Sequence, residues 1–308
     1  MFGPILGPSV GPLAGGYLTD TLGWQWIFWT IAVVYGCLTI AQMLFMRETY
    51  PAVILERKTQ RRRQETGNSA LRSALDSGLS TRQVLVREIL RPAKITVRSP
   101  VSAMLSAVSA YVNGVVFLVL TTAPVLFAGE YSFSARDVGL AFVGYGAGNL
   151  AGLAAFTLTS DRYVRMRAAR HALRAEDRLL PGLVATPLLA VGLLGYGWSA
   201  ASHAHWGLAI AGSAVIGAAN VLFFSAVVGY LIDAFGTYAA SAIAANVVLR
   251  SVGGSALPLI GSGLYAALGW GWGSSVLALL AALCAPVLVY VFVRGEAIRA
   301  KYTVQLCP

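Results

Sequence analysis

Eight mostly apolar stretches, each close to twenty residues long, divide this chain: 1–19, 24–46, 101–127, 138–159, 181–200, 207–232, 241–264 and 273–293. About twenty residues of helix cross the roughly 30 Å of hydrocarbon in a bilayer. A water-soluble domain carries charge on about a quarter of its residues. Here 12% of 308 residues are charged, 57% are hydrophobic, and the mean hydropathy is +0.68. The pattern predicts an all-α polytopic membrane protein.

The net charge of +10 sits in the connections. Residues 47–100 hold twelve Lys/Arg against five Asp/Glu, including Arg61-Arg62-Arg63. Residues 160–180 carry six arginines, and the tail adds Arg294, Arg299 and Lys301. Eight spans put both termini on one side. With that side cytoplasmic, twenty-one Lys/Arg lie inside, Arg136 lies outside, and Arg250 lies within a span. Cytoplasmic loops collect Lys and Arg, so this orientation follows, and the basic runs read as solvated loops beside anionic lipid, with no nucleic-acid partner. Trp24, Trp26, Phe28 and Trp29 open the second span as an interfacial belt. Met1 has no basic residue after it, so the first span does not read as a cleavable signal. Cys37, Cys284 and Cys307 suggest no disulfide framework.

The first span is unusual. Gly3, Gly7, Gly11 and Gly15 recur every four residues, with Pro4, Pro8 and Pro12 after three of them and Gly16 after the fourth. In water, internal Pro and Gly weaken a helix. In a membrane, small residues four apart let a second backbone approach closely. The ladder reads either as packing in any bundle or as a moving interface in a transporter.

An internal repeat bears on that choice. Shifted by 246, GPSVGPLAGGYLTDTLGWQW (7–26) falls on GGSALPLIGSGLYAALGWGW (253–272) with ten identities in twenty. Spans one and two therefore resemble spans seven and eight, and both pairs run in the same direction. Parallel duplicated halves with a site between them are a transporter architecture. The expected organisation is 1–46 as the last two helices of an N-terminal bundle, 47–100 as a cytoplasmic central loop, 101–293 as a six-helix bundle, and 294–308 as a cytoplasmic tail. By this repeat, four helices of the first bundle are expected before Met1.

LGPSVGPLAGGYLTD resembles the antiporter signature in the fifth helix of the major facilitator superfamily. LGWQWIFW and RETYPAVILERKTQRRRQETGN (47–68) resemble the fungal drug:proton antiporter branch with twelve spans, a branch of multidrug, toxin and polyamine exporters. YSFSARDVGLAFVGYGAGNLAG (131–152), SDRYVRMR (160–167), AEDRLLP (175–181) and YLIDAFGTYAASAIAANVVLRSVGG (230–254) continue the likeness over nearly the whole chain. The resemblance implies a major-facilitator fold with an incomplete first bundle and a complete second one. It also implies the chain's functional helix: Gly3, Gly7, Pro8, Gly11, Pro12, Gly15 and Gly16 form the antiporter motif.

A polar group buried in a span is costly, and so is a functional candidate. The substrate cavity candidates are Tyr111 and Asn113 in span three, Tyr145 and Asn149 in span four, Asn220, Phe223 and Phe224 in span six, and Asn246 in span seven. For each Asn the alternative is an interhelical hydrogen bond, and for each aromatic it is packing. Arg250 faces a water-filled cavity or pairs with Asp233, in a gating or structural role. Asp161 and Arg162 resemble the second copy of the superfamily's loop signature and are gating candidates, with a solvated pair as the alternative. Glu130 at the outer mouth reads mainly as a solvated carboxylate. His203 and His205, two residues apart without Cys or carboxylate beside them in sequence, make a weak metal pair, and His171 lies in a basic loop. GYGAGNLAG (144–152) reads as helix packing, since no strand precedes it.

No catalytic constellation, metal site or cofactor site stands out. The expected function is proton-coupled efflux of a drug-like or secondary-metabolite small molecule by rocking of two bundles, in the plasma membrane. The partners are a small organic substrate, protons and lipid. Polyamine export stands second, mildly disfavoured because the cavity lacks acidic residues. From another class, the chain reads as a non-transporting remnant, or as an associate of a full-length transporter chain through the Gly face of span one.

Overall fold

Proline and glycine do not interrupt the first helix. In the computed structural model α1 (Phe2–Leu22) runs unbroken through Pro8 and Pro12. The structure describes residues 2–68, 70–74, 81–168 and 174–301. Two units divide the chain, one comprising Met1–Gly23 and Arg91–Pro308, the other Trp24–Leu90.

In the smaller unit, α2 (Gln25–Phe45) is apolar and long enough to span a bilayer. Residues 47–100, expected as a polar loop, instead hold two helices. Helix α3 (Pro51–Thr66) starts on a proline in its first turn, where no backbone hydrogen bond is lost, and stops at Gly67 with φ of 65°. Its Arg61–Glu65 pair, 3.1 Å apart, joins consecutive turns. Helix α4 (Thr81–Arg98) begins in this unit and ends in the larger one.

The larger unit is built from long helices. Helix α5 (Pro100–Glu130) is started by Ser99, whose hydroxyl accepts from the Ser102 amide, and by Pro100. Then come α6 (Ala135–Ala168), a 3-10 turn at Ala175–Leu179, α7 (Leu180–Ala201), α8 (Trp206–Phe235) and α9 (Ala239–Lys301). Among the described residues six helices are long and apolar enough to cross a membrane: α2, α5, α6, α7 with its preceding turn, α8 and α9. The glycine- and proline-rich α1 is less apolar, though its 21 residues reach about 31 Å.

Helix α9 contains both of the last two predicted spans. Gly269, at φ 72° and ψ 172°, breaks it between them. In a continuous helix Tyr265 and Ser274 would stand about 13 Å apart along the axis. Their hydroxyls lie 3.3 Å apart, and Trp270 stacks on Tyr265 with ring centres at 4.6 Å. The chain therefore folds back at Gly269, where only a residue without Cβ adopts that backbone freely.

The core runs between α5, α7, α8 and α9, with Leu105, Leu118, Leu126, Leu193, Ile216, Tyr196 and Tyr230 fully buried. The glycines of the 144–152 stretch seat α6 against α8. A Cβ at Gly148 would fall 1.9 Å from the Ala214 carbonyl oxygen, so these backbones touch, as a packing stripe should.

Candidate functional site

Helix α1 meets α6 through a reciprocal pair of glycines. A Cβ on Gly16 would lie 2.7 Å from the Ala135 carbonyl oxygen, and one on Gly139 would lie 2.9 Å from the Pro12 carbonyl oxygen. The Arg136 guanidinium covers the edge of this contact, 5.8 Å from the Tyr17 ring centre. Gly16 was legible in the ladder. Its partner Gly139 was not, although Gly139 also begins a run of small residues down α6. Gly7 and Gly11 have nothing within 4 Å of a built Cβ. Gly3 lies in α1, but its surroundings are outside the described residues. Pro8, Pro12, Gly15 and Gly16 line one wall of an apolar groove of about 810 Å³, and Phe117, Leu120, Thr121 and Pro124 of α5 line the other.

Further along the helices the polar candidates meet in pairs. The Asn246 amide, 1% exposed, donates to the Ser109 hydroxyl at 2.9 Å and the Ser106 hydroxyl at 3.4 Å. Tyr111 donates to the Leu277 carbonyl, and Asn220 donates to the Tyr145 hydroxyl at 3.4 Å. Asn149 is buried beside Tyr145 where α6 meets Gly217 of α8, and Phe223 is buried in the core. Asn246 and Tyr111 thus act as interhelical ties, each worth roughly 1 kcal/mol or less. Asn113 also ties helices, donating to the Arg250 carbonyl at 3.0 Å, but it is only half-buried.

Arg250 departs from one of its two expected arrangements. Asp233 does not pair with it. Asp233 instead takes Arg178 at 2.9 Å, because both stand at the same helix ends while Arg250 lies three turns further into α9. The Arg250 guanidinium lies over the Phe224 ring at 4.4 Å, and its Nε is buried with no hydrogen-bond partner.

Charges the sequence did not single out gather where the 175–181 stretch meets the end of α9. Glu176, 3% exposed, holds Arg299 at 2.6 Å, and Arg174 faces Glu296 at 3.6 Å. The Asp177 carboxylate accepts from the Arg174 amide at 3.1 Å and caps the turn. Breaking a buried pair such as Glu176–Arg299 costs about 3–5 kcal/mol, because it strands a charge. The signal was three charges in the AEDRL pentad beside an apolar span. The side chains of Asp161 and Arg162, like His171 and Cys307, lie outside the described residues.

At the opposite end Glu130 is not simply solvated. It accepts from the Trp270 indole at 3.0 Å and faces the His203 Nδ1 at 3.4 Å. Next to it Tyr131 donates to the Ser199 carbonyl at 3.2 Å, and partial burial pushes its phenol pKa up. His205 serves as a cap, its Nδ1 accepting from the Gly207 amide at 3.1 Å, which opens α8. Among the described residues no three His, Cys, Asp or Glu gather as a metal site would need.

This geometry offers close helix contacts, an apolar groove and interhelical polar ties. The chain is 41% identical over 305 residues to the MFS-type transporter hepF of Aspergillus oryzae, covering 99% of this chain and 62% of the relative. It is 43% identical over 306 residues to the MFS-type transporter tndD of Aspergillus flavipes, covering 97% and 57%. It is 40% identical over 301 residues to the efflux pump radE of Floropilus chiversii, covering 97% and 56%. The chain thus spans about three fifths of the length of these relatives. A family model described as Major Facilitator Superfamily matches residues 1–175. With more than half its length inside that match, and with apolar helices that make it an integral membrane protein, this chain belongs to the major facilitator superfamily.

Proposed function

We propose that the chain works in proton-coupled efflux of drug-like or secondary-metabolite molecules, by alternating access between two bundles. The observation that carries this reading is the reciprocal Gly16–Gly139 contact beside an apolar groove and a polar midsection. Backbones seated through glycine slide and part with little side-chain repacking, which suits a gate. The names of the relatives, MFS-type transporters and an efflux pump, support the same activity. In this reading residues 101–293 are the second bundle, 47–100 the cytoplasmic link, and 1–46 two helices of the first bundle. Both termini face the cytoplasm, the membrane is the plasma membrane, and Gly16 and Gly139 close the outer end.

The open Gly7 and Gly11 favour a second reading, in which the chain associates with another transporter chain without transporting by itself. One experiment separates the two. Residues 1–308 are expressed in cells lacking their own efflux pumps, and export of a fluorescent dye is followed with and without a protonophore. Protonophore-sensitive export supports the first reading. No export, together with co-purification of a transporter through the Gly7 face, supports the second.

A further inference from the structure

Arg250 is the one Lys, Arg, Asp or Glu within the six spans of 101–293. It stands about 17 Å along α9, near the middle of a bilayer-spanning helix. An intramembrane charge normally faces the bundle interior and pairs with an opposite charge. This one does not. Among the described residues no carboxylate lies within ion-pair distance of it, and no group accepts a hydrogen bond from its guanidinium. Asp233, the nearest acidic residue in sequence, is engaged by Arg178.

What holds Arg250 in place is a ring and a backbone tie. The guanidinium lies over the Phe224 ring at 4.4 Å, and its buried Nε has no hydrogen-bond partner. Asn113 fixes the Arg250 backbone from α5. One helical turn on, Gly254 lies against Asn113 and the Phe117 ring, and Phe117 also lines the apolar groove. Arg250, which has no acceptor among the described residues, is thus linked through Asn113, Gly254 and Phe117 to an apolar groove. A planar oxyanion matches the guanidinium fork with two parallel hydrogen bonds.

We infer that the molecule taken up by this cavity is an amphipathic organic anion, its carboxylate or comparable oxyanion on Arg250 and its apolar body against Phe117 and Leu120. This rests on the groove being the cavity of the transport reading above. A polycation has no counter-charge here.

The test uses three probes with one ring system: 1-naphthoate, its methyl ester, and 1-naphthylmethylammonium. Binding to the purified 308-residue chain in neutral-lipid nanodiscs is measured by equilibrium dialysis at pH 7.5. The acid binds about tenfold or more tighter than either other probe, as expected for hydrogen bonds to a charged group. Arg250→Gln removes that preference, Arg250→Lys keeps the charge but not the fork and retains only part of it, and Phe224→Leu weakens it. Equal affinities, preference for the ammonium, or a preference that survives Arg250→Gln overturns the inference. Should Arg250→Gln fail to fold, the wild-type ranking and the Lys variant still decide. Binding by none of the probes sinks the cavity itself. Acid-selective binding without cellular export sinks the transport reading alone, and export without acid selectivity sinks the anion inference alone.

Discussion

In segment 7–26 the tight contact falls at Gly16, against Ala135 of α6. In its repeat, 253–272, it falls at Gly253, where a Cβ would lie 2.1 Å from the Ala110 carbonyl oxygen, and at Gly261, where one would lie 2.8 Å from Leu118. The counterpart of Gly253 is Gly7, which touches nothing, and the counterpart of Gly16 is Ser262, which is exposed. Gly7 and Gly16 are nine residues apart, about two and a half turns, so they lie on opposite faces. One repeated helix therefore carries two seats. The second copy uses the seat on α5, while the first copy uses the seat that meets α6. What the copies share is the turn that follows, since Gly23 and Gly269 have φ of 88° and 72°.

Four tests break or sharpen this comparison. The largest effect is at Gly253. Gly253→Ala forces backbone apart and lowers stability by about 2–3 kcal/mol in thermal melts of the purified protein, while Gly7→Ala stays within about 0.5 kcal/mol. Equal losses would show that the two copies use one face. Next, Gly16→Ala costs about 1–2 kcal/mol and, under the proposed transport function, slows dye export, whereas Ser262→Ala leaves both melting and export unchanged. Third, Gly23→Ala and Gly269→Ala each cost about 1 kcal/mol, because both need a left-handed backbone. A neutral result at either position removes the shared turn. The smallest effect is at Trp270. Trp270→Phe keeps the ring on Tyr265 but loses the bond to Glu130, for about 0.5–1 kcal/mol. A loss above 2 kcal/mol would mean the indole does more than this.

Much of the fold was legible because lipid demands long apolar helices. Apolar length marked most of the spanning helices, and the break at Gly269 falls between the last two apolar stretches. Of the two helices in 47–100, α4 carries an apolar stripe among its charges, whereas α3 was hidden by them. Helix α3 is polar almost all round, so no apolar stripe announced it. At the candidate site, polar residues inside spans were easy to find, but their roles were not. Asn246 and Arg250 look alike in sequence, each one polar residue in an apolar run. One is satisfied by two serines some 140 positions away, while the other lies over a ring with its Nε unpartnered. Partner choice is a matter of register between helices, which spacing along one helix does not carry. The same holds for Asp233, whose cation came from the 175–179 turn and not from its own neighbourhood.

The Glu176–Arg299 pair joins residues 123 positions apart. A ribosome adding 5–20 residues each second needs on the order of ten seconds to pass from one to the other. During that interval Glu176 has no counter-ion, and a lone carboxylate stays in water instead of entering the protein. The turn that carries it therefore docks only after the final limb of α9 has been made and inserted. Closure at this end of the unit is thus a late event, because it waits for the stretch of α9 that carries Arg299.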